Sequence, residues 1–481
     1  MPDRNGLNAF QNPASVAVIG ATERPGSWGS FIMNGLMAYR FPGPLYPVNS
    51  HAGQVYGLPA YRDVREVEGP VELAVLTIPE EGVEEAITAC GEKGVRGVTI
   101  VTAGFAETSE SGRVKQDAVV KLARSYGMRL VGPNVSGTFN LHGNFCAAAA
   151  RGGAEIRVTP LAATCQGGYA FYELLASASV RNMGVGRFVH TGNECDVTVT
   201  DFLEYFGRDP AVRGVVMYLE TIRDGRRFLE VAREVTARKP VVVYKAGRTP
   251  GSARAAASHT GALSGRKELF NGLLNQAGVV LAPCMEMLIP IGHALMERPP
   301  MKGRRVCIVT MGGSWGVALS DSLEETGLEV TELSPGLQKR LRDMGVPERA
   351  SLKNPVDMGA AGTLFAVEHA HAIARDVLLS GEVDAMILHG IGRPGMHDQN
   401  TEDFMRIFAA MEADIIRKFQ ALEAETGIPV VIGSHHTPLE SQVIHDINQE
   451  GIRVPDTLQK IADLLFAMYD YERKRQRAAG S

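Results

Sequence analysis

The 481-residue chain is 45% hydrophobic and 21% charged, the balance of a globular protein with material for several buried cores, and disorder as a class is excluded. Its net charge of −5 gives no basic footprint for nucleic acid or an anionic membrane, and no apolar run reaches the roughly 18–20 residues of a membrane span. Six cysteines without a CxxC pair offer neither a zinc spacing nor a disulfide framework; together with a polar N-terminus lacking a secretion core they imply a cytoplasmic chain of reduced thiols, with no metal site expected.

At about 150 residues per domain the length suggests roughly three domains. Residues 15–19 predict a buried strand ending at Gly20, followed by a helix over 29–40 and a strand over 44–49. Strands over 72–79, 97–101 and 129–132 alternate with helices over 80–93 and 113–126. Continuous apolar strands separated by helices indicate a parallel sheet covered on both faces. A small-residue run, 147–153, reads as a linker. The rhythm then repeats, with helices at 168–182, 198–206 and 224–237 and strands at 186–190, 213–219 and 240–245. A proline-and-charge stretch at 297–303 breaks this unit from a third. That one opens with a strand over 305–310, a glycine loop and a helix, with further strands over 327–331, 384–389 and 428–433 and a frayed tail over 473–481. The architecture expected is three consecutive doubly wound α/β domains, 1–148, 149–298 and 299–481.

The first glycine loop, Gly20-Ala21-Thr22, follows a strand and precedes a helix, where free backbone N–H groups favour an anion. A GxGxxG fingerprint is absent because Thr22 interrupts it, and the second strand ends in Asn49 where a nicotinamide site wants an acid. A phosphate-bearing ligand held by backbone and Thr22 fits better than NAD; a sheet with no ligand there stays open.

The strand over 240–245 leads into a loop, 246–265, with almost no bulky side chain except Arg248, Arg254 and His259. Small residues of this kind let other backbone approach or let the loop move. Histidine is a competent nucleophile toward phosphorus, and arginines are natural phosphate partners. An ordinary surface or hydrogen-bonded histidine is the alternative. His389, His397, His435 and His436 fit no metal-ligand spacing and read as satisfied or exposed side chains. Trp28 and Trp315 sit inside glycine loops, to cover ligands or simply to cap the loops.

The stretch Ala256-Ala257-Ser258-His259-Thr260-Gly261-Ala262-Leu263 resembles the phosphohistidine loop of the NDP-forming acyl-CoA synthetases, the succinyl-CoA synthetase superfamily. The resemblance runs over roughly 8–470. It takes in Gly132-Pro133-Asn134, Thr191-Gly192-Asn193, Tyr218-Leu219-Glu220, Lys245-Ala246-Gly247-Arg248, Gly312-Gly313-Ser314-Trp315-Gly316 and Asn354-Pro355-Val356-Asp357. It implies a Rossmann-like CoA-binding domain followed by two flavodoxin-like domains, in the order of the α subunit of ADP-forming acetyl-CoA synthetases. CoA is then expected with its phosphates near Gly20, Ala21 and Thr22. Its adenine end is expected near Pro47, Asn49, Ile78 and Pro79, with Asn134 also at the cofactor.

The resemblance further implies that His259 relays phosphate between an acyl phosphate and a nucleotide, with Glu220 orienting its ring. Two loops, Gln166-Gly167-Gly168 and Gly312-Gly313-Ser314, would cradle the anion. ATP or ADP and Mg would come on an ATP-grasp β subunit, for which these 481 residues leave no room, so a homo- or hetero-oligomer acting on a small carboxylic acid is expected. One departure stands out: Cys165-Gln166-Gly167-Gly168 replaces the family's Ser-Gln-Ser-Gly, with Tyr169 following. A different acyl pocket, a weakened activity, and Cys165 as a nucleophile are three readings of it. A CoA-binding or regulatory module that has kept the fold without the chemistry is the rival function, and a nicotinamide oxidoreductase the more distant one.

Overall fold

The computed structural model describes residues 6–149, 156–252, 254 and 267–479. The first sheet has five parallel strands in the order Leu45–Val48, Val16–Ile19, Leu73–Leu76, Gly97–Ile100 and Arg129–Val131. Val16–Ile19, Leu73–Leu76 and Gly97–Ile100 are buried at every position, because helices cover both faces. The helices are Trp28–Ala38, Val83–Lys93 and Glu110–Ser125. The last begins three residues before its apolar pattern does, because Ser109 caps it by accepting the Gly112 N–H. Strand Val16–Ile19 lies between Leu45–Val48 and Leu73–Leu76, so the chain leaves it to one side and then the other. The crevice at such a switch point is where open α/β sheets hold ligands.

The second sheet has seven strands, in the order Val280–Leu281, Val241–Lys245, Gly214–Leu219, Leu161–Cys165, Arg187–His190, Gly137–Asn140 and Phe145–Ala148. The last two form an antiparallel hairpin that sequence patterning did not anticipate, and it takes up the start of the expected linker: Ala147 and Ala148 are buried strand residues. Residues up to 176 together with 184–292 form one compact unit containing both sheets. A single apolar cluster runs from Val18 and Val75 through Phe145 to Val189 and Phe202.

Residues 177–183 and 293–481 form the second unit. Its sheet has four parallel strands in the order Val356–Asp357, Val306–Thr310, Ala385–His389 and Val430–Ile432. The strand expected over 327–331 is reduced to one bridge between Arg305 and Glu329, because the edge place beside Val306–Thr310 goes to Val356–Asp357. The helix after the glycine loop is Gly313–Glu325, so Gly313 and Ser314 belong to its first turn. The tail expected to fray is helical to Ala479. Asp470 pairs with both Arg473, at 2.5 Å, and Lys474, at 2.6 Å, and Lys474 is itself largely buried. No helix among the described residues is long and apolar enough to cross a membrane.

Candidate active site

At the switch point of the first sheet Gly20 has φ +93°, and a Cβ there would stand 2.8 Å from Thr77 Oγ1 and 3.0 Å from the Thr77 carbonyl, so only glycine closes this turn. The rest of the loop is held by its own hydrogen bonds. The Asn49 amide donates to the Ala21 carbonyl at 2.8 Å and accepts the His51 and Ala52 N–H groups at 2.8 and 2.9 Å. Thr22 Oγ1 accepts the Arg24 N–H at 3.2 Å, and Pro47 sits in strand register with Val18. Asn49 therefore shapes the loop, a role the sequence did not separate from ligand contact.

A cleft of about 530 Å³ opens in the same unit. Its walls include Trp28, Ile78, Pro79, Asn134, Gly168 and His190. Four expected site residues, Ile78, Pro79, Asn134 and Gly168, thus come together from two different sheets. Gly20, Ala21, Thr22, Pro47 and Asn49 lie at the carboxyl ends of adjacent strands and are not part of this wall. Trp28 is 42% exposed and lines the cleft.

His190 and Ser136 were missed. The His190 ring is buried; its Nδ1 accepts the Ser136 N–H at 2.8 Å, and its Nε2–H donates to the Gln166 carbonyl at 3.0 Å. These partners fix a neutral ring protonated at Nε2. A Cβ on Gly168 would stand 2.2 Å from His190 Nδ1 and 2.3 Å from Ser136 Oγ, which explains the glycine. The available signal was position: His190 ends a strand next to Leu161–Cys165, from which the sheet's order reverses.

The loop Cys165–Gly168 leaves the central strand of the second sheet. The buried Gln166 amide accepts the Glu220 and Thr221 N–H groups at 2.7 and 2.9 Å and donates to the Thr221 carbonyl at 3.0 Å. Its side chain therefore braces the Glu220 turn. Glu220 directly follows strand Gly214–Leu219 and is buried at 5% exposure; Tyr218 donates its phenol proton to Glu220 Oε1 at 3.2 Å. Burial, with the Glu220 charge beside it, pushes the Tyr218 phenol well up, so it remains a donor. A Cβ on Gly167 would lie 2.9 Å from Tyr218 Cε1, so the ring fills space that a serine would claim. Cys165 is fully buried, and burial pushes its thiol well above the ordinary range, as does the Glu220 charge. That is the opposite of an activated nucleophile. Lys245 is buried too; it donates to the Glu220 carbonyl at 2.7 Å, and burial pulls its pKa down to about 8 against the attraction of Glu220. His259 lies outside the described residues.

In the second unit Thr310 Oγ1 accepts the Gly312 N–H at 3.1 Å and donates to the Gly312 carbonyl at 2.9 Å, closing the turn into Gly313 and Ser314. Asp357 Oδ2 would lie 2.8 Å from a Cβ on Gly313. Trp315, 38% exposed, lies over the His435 ring at 4.0 Å and edge-on to His389 at 5.5 Å. Here one expectation fails. His389 is fully buried, and neither ring nitrogen has a hydrogen-bond partner among the described residues; burial and the neighbouring His435 pull its pKa down to about 4. It is neither satisfied nor exposed. Among the described residues no group of three or more His, Cys, Asp or Glu side chains is placed to hold a metal.

Fold and cleft together define an α/β protein with a ligand-sized cleft lined from two sheets. Residues 14–139 match the family described as CoA binding domain, and residues 159–295 match the succinyl-CoA ligase like flavodoxin domain. The α subunit of acetate–CoA ligase [ADP-forming] II from Pyrococcus furiosus is 36% identical over 385 residues, 79% of this chain and 81% of the relative. The acetate–CoA ligase [ADP-forming] of Methanocaldococcus jannaschii is 33% identical over 73% of this chain but only 49% of its own length. Among solved structures, the acetyl-coenzyme A synthetase 1 of Ca. Korarchaeum cryptofilum, in complex with phosphate and ADP, superposes with a TM-score of 0.83 at 29% identity over 98% of both chains. The chain belongs to the NDP-forming acyl-CoA synthetase family and is of the α-subunit type found in ADP-forming acetate–CoA ligases. It is an acid–CoA ligase chain, and the nicotinamide reading is set aside.

Proposed function

We propose that the chain interconverts acyl-CoA, ADP and phosphate with a free acid, CoA and ATP, passing through an acyl phosphate and a phosphorylated His259. The observation that carries this is the single cleft in which Ile78, Pro79 and Asn134 of the CoA-binding sheet meet Gly168 and His190 of the second sheet. A CoA thiol entering along the first group meets the Cys165–Gly168 loop, where an acyl group bonded to phosphate can be held at a helix N-terminus. In the synthetic direction the thiolate attacks the acyl carbon and the acyl–phosphate bond breaks, releasing phosphate. In the reverse direction phosphate displaces CoA, the acyl phosphate gives its phosphoryl group to the His259 ring with release of the acid, and the ring passes it to ADP. Splitting the reaction in this way avoids attack by a thiol on a free carboxylate.

Glu220 is the residue we assign to hold the His259 ring, by accepting a hydrogen bond from its other nitrogen. Support comes from its burial and its bracing by Tyr218, Gln166 and Lys245, an investment that a purely CoA-sensing module has no need of. The first-turn N–H groups of Gly313 and Ser314 form a second candidate cradle. We further propose that the nucleotide and its Mg are held by an ATP-grasp module, supplied as a β subunit to a cytoplasmic assembly. That M. jannaschii relative, about twice the length matched here, supports the existence of such a second half. The test is labelling from acyl-CoA plus labelled phosphate, followed by peptide mapping. An acid-labile, base-stable label on His259 is expected, lost in His259→Ala while CoA binding persists. Normal turnover by that variant would leave the CoA-sensing reading in its place.

A further inference from the structure

The cleft in the first unit is particular about what a ligand must bring to it. Among the described residues no acid, lysine or arginine side chain lines it. Three hydroxyls do, those of Thr77, Thr102 and Ser136, and each has its proton directed elsewhere. Thr77 donates to the Ile19 carbonyl at 3.1 Å and Thr102 to the Ile78 carbonyl at 2.6 Å. Ser136 Oγ lies 3.0 Å from His190 Nδ1. That nitrogen already accepts the Ser136 N–H, and the ring's proton sits on Nε2, given to the Gln166 carbonyl. Nδ1 therefore has no proton to offer, and the serine hydroxyl is the donor between them. A hydroxyl whose proton is committed still has lone pairs. The walls are thus uncharged, and their hydroxyls are acceptors.

Ser136 is the one of the three that stands at the Cys165–Gly168 loop. A Cβ on Gly168 would lie 2.3 Å from Ser136 Oγ, whereas a Cβ on Gly167 would lie beside the Tyr218 ring and 3.4 Å from Glu220 Oε1. The loop accordingly has two sides, one toward Glu220 and one toward Ser136. Thr77 and Thr102 lie just past strands Leu73–Leu76 and Gly97–Ile100, at the CoA-binding sheet. On the ligase reading above, on which this inference rests, the phosphoryl group takes the Glu220 side and CoA enters from the first sheet. The acyl tail then falls at Ser136. We propose that Ser136, its hydroxyl oriented by His190, selects an acid whose uncharged tail carries a hydroxyl, a hydroxymonocarboxylic acid that donates this proton to Ser136 Oγ. A second carboxylate or an ammonium in the tail would lose water against a wall that holds no countercharge.

Calorimetry on the full chain with four-carbon thioesters isolates the tail, since CoA is common to all of them. The probes are butyryl-CoA, its 2-, 3- and 4-hydroxy derivatives, acetoacetyl-CoA and succinyl-CoA. The best hydroxy derivative is expected to bind roughly three- to tenfold more tightly than butyryl-CoA, the worth of one neutral hydrogen bond. Acetoacetyl-CoA carries an oxygen without the proton and should gain nothing over butyryl-CoA. Succinyl-CoA should bind at least about tenfold more weakly than butyryl-CoA. Ser136→Ala removes the acceptor and adds no bulk, so it should bring the hydroxy derivative down to the level of butyryl-CoA. The proposal is overturned if no hydroxy derivative exceeds butyryl-CoA, if acetoacetyl-CoA or succinyl-CoA matches the best of them, or if the preference survives Ser136→Ala. It is also overturned if that change weakens free CoA as much as the hydroxyacyl thioester, which would place Ser136 at the cofactor. A parent chain that binds CoA without discriminating among tails removes this inference and leaves the ligase reading standing; one that binds neither CoA nor any thioester removes both.

Discussion

Gly168→Ala is the sharpest single perturbation of the cleft, because the structure states what the added methyl would meet. His190 Nδ1 at 2.2 Å and Ser136 Oγ at 2.3 Å are both buried, and the His190 ring is pinned through both nitrogens. It cannot rotate away without leaving the Ser136 N–H or the Gln166 carbonyl unpaired. Overpacking of this kind costs about 1–3 kcal/mol, and an orphaned buried donor adds about 1–3 kcal/mol. The helix gains at most about 1 kcal/mol from replacing glycine near its start. The net expectation is a destabilisation of about 2–4 kcal/mol, a fall in Tm of roughly 5–10 °C for a unit of this size. Differential scanning calorimetry reads the stability, and acyl transfer from acyl phosphate to CoA reads the site. Adding Ser136→Ala removes one of the two clashing atoms, so the double variant should recover part of the loss, a non-additivity expected only of residues in contact. An alanine variant with unchanged Tm and unchanged acyl transfer would refute the argument that His190 and Ser136 set the shape of the loop.

Three further outcomes follow from the same geometry. Gly20→Val, at φ +93° with Thr77 Oγ1 only 2.8 Å from the new Cβ, should abolish CoA binding by calorimetry while the second unit melts as before; retained affinity would mean that the first glycine loop is not the CoA site. Tyr218→Phe removes the phenol proton that Glu220 accepts. It should slow His259 labelling by roughly tenfold, with CoA affinity unchanged and a shifted pH profile that Phe-to-Tyr reversion restores; an unaltered labelling rate would free Glu220 from any dependence on Tyr218. Asp196, buried but bonded to Arg129 at 2.8 Å and to the Leu130 N–H at 3.0 Å, is held below its ordinary value of 3.8, those bonds outweighing the upward push of burial. A carboxylate depressed in the folded state contributes stability above its unfolded pKa and loses it as pH falls through the folded one, so urea stability of the first unit should drop below about pH 4 and Asp196→Asn should flatten that drop.

The parallel strands were legible because burial on both faces removes alternation and leaves short, mostly apolar runs such as Val16–Ile19 and Val241–Lys245. The hairpin Gly137–Asn140 and Phe145–Ala148 was not, since the first segment mixes glycine, threonine and asparagine around one phenylalanine and the second, Phe-Cys-Ala-Ala, runs into the small residues that read as a linker. What buries it is a partner distant in sequence: Phe139 stacks on Phe188 at 5.1 Å across the antiparallel pairing with Arg187–His190. Glu329 shows the reverse failure. The alternating pattern around it is genuine, but a strand needs an unoccupied sheet edge, and Val356–Asp357 already holds that place.

At the site, sequence identified the positions better than the reasons. Gly20 and Gly168 stand out as glycines in loops, yet the constraint on each is a neighbour, Thr77 in one case and His190 with Ser136 in the other, that only folding supplies. Gln166 was expected at an anion through its loop's backbone N–H groups, and Asn49 near the adenine end of CoA through the family resemblance; both carry amide side chains that donate and accept. The same two-sided chemistry suits them to clasp backbone, and the structure uses them so. His389 marks the limit of pattern reading. A histidine closing an apolar strand is indistinguishable in sequence from one that is exposed or hydrogen-bonded. What makes it unusual is that Trp315 and His435 close over it from other elements, yet no donor or acceptor among the described residues bonds its ring nitrogens. Burial without a partner is a property of three converging segments and not of any one, so where a chain keeps such a group, the place to look for its cause is in the elements that cover it.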